Sequence, residues 1–364
     1  MINVAMLWFF LLPIALGAGL WFFTREREGS WMFAGGFAIV GVLIIAGAFY
    51  GAKGVATSDT EIWNGQVTAK ARVHGSYIES YQCNCRTVTS GSGKNQTSST
   101  QCDTCYRNHY TVNWGCDSTI GPFRIDSADW TNSGVYLLPN PQRWVSINVA
   151  DPVAAAHRYT NYVQAVPESL FHSVSKDQKA KFAALLPKYP IDVFDYYRIN
   201  RFVTPGYTSS DAAAWNNDIS MMLRTLGPQK QVNAIVVIAK TSDSNYEYAL
   251  RDAWEGANKN DVVLLIGSAE WPKIDFVRVI TWSKSESFKI ELRDDILALE
   301  NVRREAVMSL LQGHIAKNFE RRHMNEFEYL EGQIDPPTWL LVTVFMLLLG
   351  GAVGGYFLID RNCR

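Results

Sequence analysis

Four cysteines in two close pairs are the residues whose spacing most directly implies chemistry. Cys83 and Cys85 enclose one residue, and Cys102 and Cys105 enclose two. Thiolates paired in this way at the ends of a hairpin supply the four ligands of a tetrahedral zinc site. In an oxidising compartment the same pairs would instead form disulfides, with Cys83 or Cys85 bonded across to Cys102 or Cys105. Both alternatives predict a structural cross-link in a small unit with little core, and the first makes zinc a cofactor.

The charge balance and the missing motifs exclude several classes of function. Lysine and arginine number 34 against 35 aspartates and glutamates, so no basic field attracts nucleic acid. The glycine-rich stretch at Gly91 and Gly93 is not followed by the Lys-Ser/Thr start of a phosphate-binding helix. Neither a G-x-S-x-G elbow nor an H-E-x-x-H pair occurs. We therefore expect no nucleic-acid partner and no site of these common hydrolase or nucleotide-binding types.

Three long apolar segments predict membrane-spanning helices. They comprise residues 6–23 and 32–50 in an N-terminal region of residues 1–55, and residues 337–359 in a C-terminal region of residues 336–364. Each is uncharged and approaches the ~20 apolar residues that cross a hydrocarbon core of ~30 Å. Because ion paths and proton relays usually need ionisable residues within the spans, a channel or transporter formed by this chain alone is not expected.

Short basic segments predict the orientation of these spans. Arg25 and Arg27 lie between the first two spans, Arg361 and Arg364 follow the third, and only Lys53 lies close to a span end on the opposite side. Basic residues favour the cytoplasmic side, so the large domain between spans two and three is placed outside the cytoplasm. That compartment is also the one in which disulfides form.

Two overlapping small-residue patterns lie in the third span. Gly350 is followed by Gly354, and Gly351 by Gly355. Such G-x-x-x-G spacing lets helix backbones approach closely. We expect these glycines to pack either against the first two spans of the same chain or against another subunit or membrane protein.

The water-soluble part divides into two regions by composition. Residues 56–161 are rich in Thr, Ser, Tyr and Val in short runs, which predicts a cysteine-rich β module. Residues 162–335 alternate helical and strand patterns, which predicts an α/β sandwich. The predicted strands include Val232–Ala239, Val262–Ile266, Phe276–Trp282 and Ser287–Leu292, and the predicted helices are 165–186, 211–226, 245–255 and 296–330.

The later part of the α/β region resembles the TPM domain over about residues 232–330. The likeness rests on an amphipathic helix that ends in Trp and a turn into an apolar strand, at Tyr246, Ala249, Trp254, Gly256, Lys259, Asp261 and Val262–Ile266. The paired glycines that usually follow the next strand in this family are absent here. The resemblance implies a TPM-like sandwich. Because some family members are acid phosphatases with acidic residues near strand ends, it also implies Asp261, Asp294 and Asp295 as candidate catalytic residues around a divalent cation.

Each of these aspartates also has a structural explanation. Asp commonly begins a strand, as Asp261 would, and Asp294 with Asp295 would cap a following helix. A catalytic cluster and a purely structural role are therefore the two hypotheses for these residues.

A second resemblance covers the cysteine-rich region and the residues after it. The cysteine hairpin, the run Asn108–Trp114 and the run Arg158–Phe171 look like uncharacterised membrane proteins encoded by tailed bacteriophages. This resemblance implies a bacterial inner membrane and a role in infection.

Together these patterns predict a membrane protein with an α/β ectodomain: three transmembrane helices, a small cysteine-rich β module and a TPM-like α/β sandwich. The favoured function is that of a membrane-anchored interaction or regulatory protein, which presents its extracytoplasmic domain to another membrane or envelope protein. The alternative is a TPM-type, phosphatase-like hydrolase that uses a divalent cation. The sequence favours the non-enzymatic interpretation.

Overall fold

The structure is a computed structural model that describes residues 4–27, 29–90, 97–131, 138–166 and 176–362. In chain order these residues form α1 (Val4–Thr24), α2 (Ser30–Ala56), β1 (Ser58–Ser90), β2 (Thr97–Ser118), β3 (Phe123–Trp130), α3 (Gln142–Val145), β4 (Pro152–Thr160), α4 (Lys176–Phe182), β5 (Phe202–Val203), α5 (Ala212–Lys230), β6 (Asn233–Ala239), α6 (Tyr246–Ala253), β7 (Asp261–Gly267), β8 (Phe276–Thr281), α7 (Glu286–Leu297), α8 (Arg304–Asn318) and α9 (Thr338–Asn362). Short 3₁₀ helices follow α4 (Ala183–Leu185) and precede α9 (Met324–Gln333). Gly91, Gly93 and residues 167–175 of the helix predicted at 165–186 lie outside the described residues.

The helices α1, α2 and α9 pack side by side as a helical bundle. Ile45 of α2 is buried against Val344 and Leu348 of α9. By length and composition α2 and α9 are each able to cross a membrane. Their most apolar 18-residue stretches have mean hydropathies of 2.3 and 2.1, and only 22% and 17% of the residues in these stretches are buried. Within the described side chains of α1, the apolar stretch is Phe9–Thr24. Apolar surfaces turned outward to this extent are typical of helices that contact lipid or another protein.

Ion pairs frame the helical bundle at both ends. At one end Arg27, in the turn between α1 and α2, pairs with Asp360 at 2.9 Å. At the other end Lys53 of α2 pairs with Glu331, in the 3₁₀ helix before α9, at 2.7 Å. Since β1 begins directly after α2, the β-strands of the chain follow from the Lys53 end of the bundle.

The glycine pairs of α9 face different ways. A Cβ atom added at Gly351 would lie 3.2 Å from a phenylalanine ring of α2, and one added at Gly355 would lie 3.5 Å from a leucine of α1. These two glycines therefore pack against the chain's own helices, as the first of the two alternatives predicted. A Cβ at Gly350 or Gly354 would meet no described atom within 4 Å. Self-association through this outward pair stays a prediction.

The cysteine-rich region forms an antiparallel sheet with the strand order β3-β2-β1-β4. The long strand β1 pairs with two partners in succession, because Ser58–Gln66 pair with β4 and Val67–Ser90 pair with β2. β3 lies on the far side of β2 only along Tyr110–Cys116. The core of the sheet forms where three strands lie together, around Val112 and Trp114.

The α/β unit (residues 201–319) is built on a second sheet with the order β5-β6-β7-β8. β5, β6 and β7 are parallel, and β8 is antiparallel to β7. The strands β6 and β7 are buried along their whole length, because α5, α7 and α8 cover one face of the sheet and α6 covers the other. The continuous apolar runs Val232–Ala239 and Val262–Ile266 predicted this burial on both faces. The predicted α/β class is therefore confirmed for this unit.

The strand predicted at Ser287–Leu292 is wrong, because α7 covers these residues. Ser285 caps α7 by accepting a hydrogen bond from the backbone N–H of Phe288 at 3.4 Å. Every fourth residue from Phe288 to Ile296 is fully buried, which is the spacing of a helix that packs one face against a sheet. The long helix predicted at 296–330 is interrupted twice, between α7 and α8 and again after α8.

Gly41 of α2 lies where the three helices of the bundle meet. A Cβ at Gly41 would lie 2.4 Å from Pro13 of α1 and 3.1 Å from Leu348 of α9, so Gly41→Val forces the helices apart. Overpacking of this kind costs about 1–3 kcal/mol. We expect Gly41→Val to lower the thermal unfolding temperature of the detergent-solubilised protein, whereas Gly47→Val, at an open position of the same helix, does not. Equal unfolding temperatures for the two variants would contradict this packing.

Candidate functional site, a disulfide-stapled arm

The strands β1 and β2 continue together beyond β3 and form a two-stranded arm, defined here as residues 78–90 and 97–108. The pairing of β3 with β2 ends at Trp130 opposite Tyr110, two residues before the arm begins. At about 3.3 Å per residue the β1 half of the arm extends ~40 Å. Since the described side chains of the arm are exposed or half-buried on both faces, the arm protrudes from the first sheet.

The arm has almost no core to hold it together. Ile78 is 66% exposed and Tyr106 is 72% exposed, although both side chains are apolar over most of their surface. An isolated two-stranded hairpin is marginally stable at best in water. The arm therefore needs a cross-link, and it exposes apolar side chains that a solvated ribbon does not require.

Two disulfides supply the cross-link: Cys83 is bonded to Cys105, and Cys85 to Cys102. The predicted link between the two halves of the hairpin is confirmed. Closing a loop of this size removes conformational entropy from the unfolded chain, worth about 3 kcal/mol. Zinc is not supported, because no group of three or more His, Cys, Asp or Glu side chains within the described part of the chain is placed to hold a metal ion. Cys116, the fifth cysteine of the region, is a buried thiol in the core of the first sheet.

A histidine between two carboxylates marks the base of the arm. His109 Nδ1 lies 2.8 Å from Asp129 of β3, and its Nε2 lies 2.9 Å from Glu79 of β1. Tyr77 stacks on the imidazole, with ring centroids 4.7 Å apart, and donates its hydroxyl to Asp129 at 2.7 Å. Ionised carboxylates only accept hydrogen bonds, so both ring nitrogens donate and the imidazole is cationic in this arrangement. The hydrogen bond to Asp129, followed by that to Glu79, raises the pKa of His109 above its usual value.

Sequence reasoning missed this cluster at the base of the arm. Alternation puts Tyr77 and Glu79 on one face of β1. The position of His109 opposite Tyr77, however, depends on the register of β1 with β2, and Asp129 comes from a third strand that the sequence patterns did not place. The cluster joins three strands where the sheet narrows to two, so it sets the direction in which the arm leaves the sheet.

Asp261, the first of the three predicted catalytic aspartates, is fully buried at the start of β7. Its carboxylate accepts hydrogen bonds from the Tyr189 hydroxyl at 2.5 Å, the Asn233 side chain at 2.9 Å and the Asn258 backbone at 2.8 Å. Burial raises the pKa of Asp261 to about 6, against the effect of these hydrogen bonds. The Asn233 side chain also accepts a hydrogen bond from the buried guanidinium of Arg201 at 3.1 Å, so a carboxylate and a cation face each other across one amide.

The cation Arg201 links Asp261 to the first sheet. Arg201 is 1% exposed and donates hydrogen bonds to Asn64 of β1 and Ser220 of α5. Burial lowers the pKa of Arg201 to about 9, which leaves it charged at neutral pH. Gly227 of α5 lies directly against Asn64, since a Cβ there would be 2.4 Å from the Asn64 carbonyl oxygen. This buried polar network (Asn64, Arg201, Asn233 and Asp261) thus joins β1 to the α/β unit.

The other two predicted catalytic residues, Asp294 and Asp295, lie in α7 and are exposed. Asp294 accepts a hydrogen bond from Arg293 at 2.7 Å, and Asp295 pairs with His314 at 2.8 Å. The structural explanation had predicted that Asp294 and Asp295 cap a helix. This is wrong, because both lie within α7, whose caps are Ser285 and Ala298. β8 ends beside the start of β7, where Asp261 lies. The following helix, α7, then extends ~12 Å before the chain reaches Asp294 and Asp295. The structure therefore does not bring the three aspartates together.

A second buried carboxylate lies where the helical bundle joins the sheets. Glu61 of β1 is 1% exposed. Both of its oxygens accept hydrogen bonds from Arg321, at 2.7 and 2.8 Å, and one also accepts from the Trp63 indole at 2.9 Å. Lys259 lies 3.4 Å away. Glu61 closely follows α2 and Arg321 precedes the 3₁₀ helix that leads to α9, so this cluster holds together the points where the chain enters and leaves the sheets.

We expect Asp261→Ala to destabilise the protein, because it leaves three buried donors and the Arg201 cation without their carboxylate. Removing one partner of a buried charged pair costs about 3–5 kcal/mol. The matched control is Asp294→Ala on the exposed side of α7, which should change the free energy of unfolding by less than about 0.5 kcal/mol. Urea unfolding in detergent, followed by tryptophan fluorescence, measures both values. Comparable losses for the two variants would contradict the structural role of Asp261.

His109 gives the base of the arm a dependence on pH. Its pKa in the folded protein lies above the usual 6.5, so the stabilisation by the cationic imidazole is complete below that value and is lost as the pH rises through the raised pKa. We expect backbone amides of residues 76–82 to exchange more slowly in the wild type than in His109→Gln at about pH 6, and the two rates to converge by about pH 9. Hydrogen exchange with mass spectrometry measures the ratio of the rates, in which the intrinsic pH dependence cancels. A ratio that stays constant across this range would disprove the role of His109.

Three comparisons with known proteins gave no significant match. No family model matches the chain, no curated protein shows significant similarity to it, and no solved structure matches it. The functional argument therefore rests on the arm, its disulfides and the helical bundle.

Proposed function

We propose that this chain is a membrane-anchored interaction protein that uses its arm to bind another membrane or envelope protein. The observation that carries the proposal is the arm itself, a ribbon cross-linked by two disulfides that exposes Ile78 and Tyr106 to solvent. The arm adds no core to either sheet, so stabilising the fold does not explain it. Apolar side chains on a rigid element lower the entropic cost of association, which is how preorganised elements gain affinity.

The membrane part of the proposal is that α1, α2 and α9 all cross the inner membrane of a bacterium, with the two sheets on the extracytoplasmic side. The outward apolar surface of α2 and α9 and the ion pairs at both ends of the bundle support it. Arg25, Arg27 and Arg361 lie at the end remote from the sheets, which favours the cytoplasm for that end. The disulfides support the same orientation independently, since disulfides form and persist in oxidising compartments.

The phosphatase-like alternative needs acidic side chains that converge on an open site. Asp261 is enclosed, and Asp294 and Asp295 are exposed elsewhere on the α/β unit. No observation on the described residues favours this alternative, so we do not propose it as a second function. The likeness of residues 232–330 to the TPM domain and the phage setting stay predictions, and neither enters the argument for binding.

The test is affinity purification of the full chain from native membranes in mild detergent, with the intact mass of the complex determined. We expect a stoichiometric second protein with the wild type and at least a tenfold loss with the double variant Ile78→Ser, Tyr106→Ser, which removes exposed apolar contacts and leaves the disulfides in place. The matched control is Val149→Ser, Tyr248→Ser. It removes an aliphatic and a tyrosine side chain that are 61% and 49% exposed away from the arm, and it should retain the partner.

Two outcomes would count against the proposal. Equal retention of the second protein by both double variants would show that the arm is not the binding element. Purification of the wild-type chain from the membranes of its own host without any second protein would contradict the interaction function itself.

A further inference from the structure

The outer edge of β1 in and beside the arm is a row of main-chain groups without a neighbouring strand among the described residues. The pairing of β4 and its preceding turn with β1 ends at Val67, and β2 occupies the opposite side of β1. From Gly75 to Gln82 no described backbone pairs with the outer edge. In an antiparallel ladder alternate residues turn their N–H and C=O groups away from the partner strand, so this ~26 Å stretch presents about four donors and four acceptors.

Such a row is matched by one kind of chemistry, which is another extended backbone. Donors and acceptors alternate along the edge at the repeat of a β-strand, and a lipid or a small molecule does not reproduce that repeat. Strand addition to an exposed sheet edge gains its affinity from main-chain hydrogen bonds and its specificity from alternate side chains. The occupant that fits this edge is therefore an extended polypeptide segment.

Three other exposed edges of the same sheet carry features that discourage strand addition. The outer edge of β2 in the arm bears the charged residues Asp103 and Arg107. β3 has two charged side chains that His109 does not engage, Arg124 and Asp126, and charges are a common protection of edge strands. Beyond Gln82 the edge of β1 is interrupted by a bulge, where Asn84 adopts a φ of 47°. The stretch Gly75–Gln82 contains no Pro, Lys or Arg, and its one charged side chain, Glu79, is engaged by His109. This stretch is thus left open where its neighbours are protected.

The side chains beside the open edge also suit an extended partner. Ile78 points to one face of the ribbon and Tyr77 to the other, and they are 66% and 48% exposed. Side chains of an added strand would lie ~4.5–5.5 Å from the directly opposite side chains of β1. This is close enough to cover both Ile78 and Tyr77. Because the disulfides hold the ribbon in its paired form before binding, the arm loses little conformational entropy when a strand is added.

We propose that the outer edge of Gly75–Gln82 binds an extended segment of a partner protein as an added β-strand. This inference rests on the proposed function and deepens it, because it names the element that is recognised and the conformation of the segment that binds. The partner then needs a short segment that is free to become extended. Its main chain bonds to the edge of β1, and its side chains cover the exposed apolar side chains of the arm.

The test places the photo-crosslinking residue benzoylphenylalanine in turn at Ser76, Ile78 and Ser80 of the full chain in native membranes, and locates the products by mass spectrometry. These three positions share one face of β1. Strand addition predicts that the cross-linked residue of the partner shifts by two positions each time the probe moves by two. A probe at Asn108, directly opposite Ile78 on β2, lies one strand spacing of ~4.8 Å farther from the added strand and should give at least fivefold less product.

Each outcome decides for or against the edge. Disulfide formation, read from electrophoretic mobility without reductant, verifies that the arm of each variant has folded. Cross-links to one fixed partner residue from all three positions, or an equal yield at Asn108, would overturn strand addition and leave binding by the arm intact. Cross-links to a second copy of this chain would overturn the choice of occupant. A partner that co-purifies through the arm but gives no cross-linked product from β1 would overturn the assignment to this edge. Failure of the proposed function is distinguishable, because it appears in the affinity purification as the absence of a co-purified protein.

Discussion

The buried carboxylate of Glu61 is the constraint on which the arrangement of this protein depends. An ionised carboxylate removed from water costs several kcal/mol unless charged or polar donors surround it. Arg321, Lys259 and Trp63 supply those donors from the segment before α9, the loop before β7 and β1 itself. The helical bundle, the first sheet and the α/β unit must therefore meet at one place, and β1 leaves that place in a fixed direction.

A fixed base suits a long arm to the proposed binding role. β1 runs without interruption from the Glu61 cluster, past Asn64 where it packs on the α/β unit, and into the arm. The cluster around His109 stiffens the ribbon at its base, and the disulfides stiffen it farther out. A ribbon without these restraints would spend much of its binding free energy on ordering itself. The arm has no core, so both of its faces and the outer edges of its two strands are accessible among the described residues.

Sequence patterns predicted the parts of this molecule whose residues are uniformly buried or interact locally. β6 and β7 were predictable because burial on both faces demands continuous apolar runs, and the cysteine spacing was enough to predict a cross-link between the halves of a hairpin. α7 was not predictable, because apolar and polar residues alternate over Phe288–Leu292 as they do in a strand. The helical spacing of its buried residues emerges only when Ile296 is included. The pairing of the cysteines, the length of the arm and the surroundings of Asp261 depend on strand register and on partners such as Arg201, which are distant in the chain.

The sequence separation between Glu61 and Arg321, its main partner, also sets an order of events during synthesis. Arg321 follows Glu61 by 260 residues, so at about 5–20 residues per second the carboxylate waits on the order of tens of seconds for its counter-ion. The two halves of the arm, by contrast, are made within moments of each other, and each disulfide joins cysteines only 22 or 17 residues apart. On this timing the arm can oxidise as it emerges, while the sheets close around Glu61 only after nearly the whole chain has been made. The arm would thus mature before the structure that holds it.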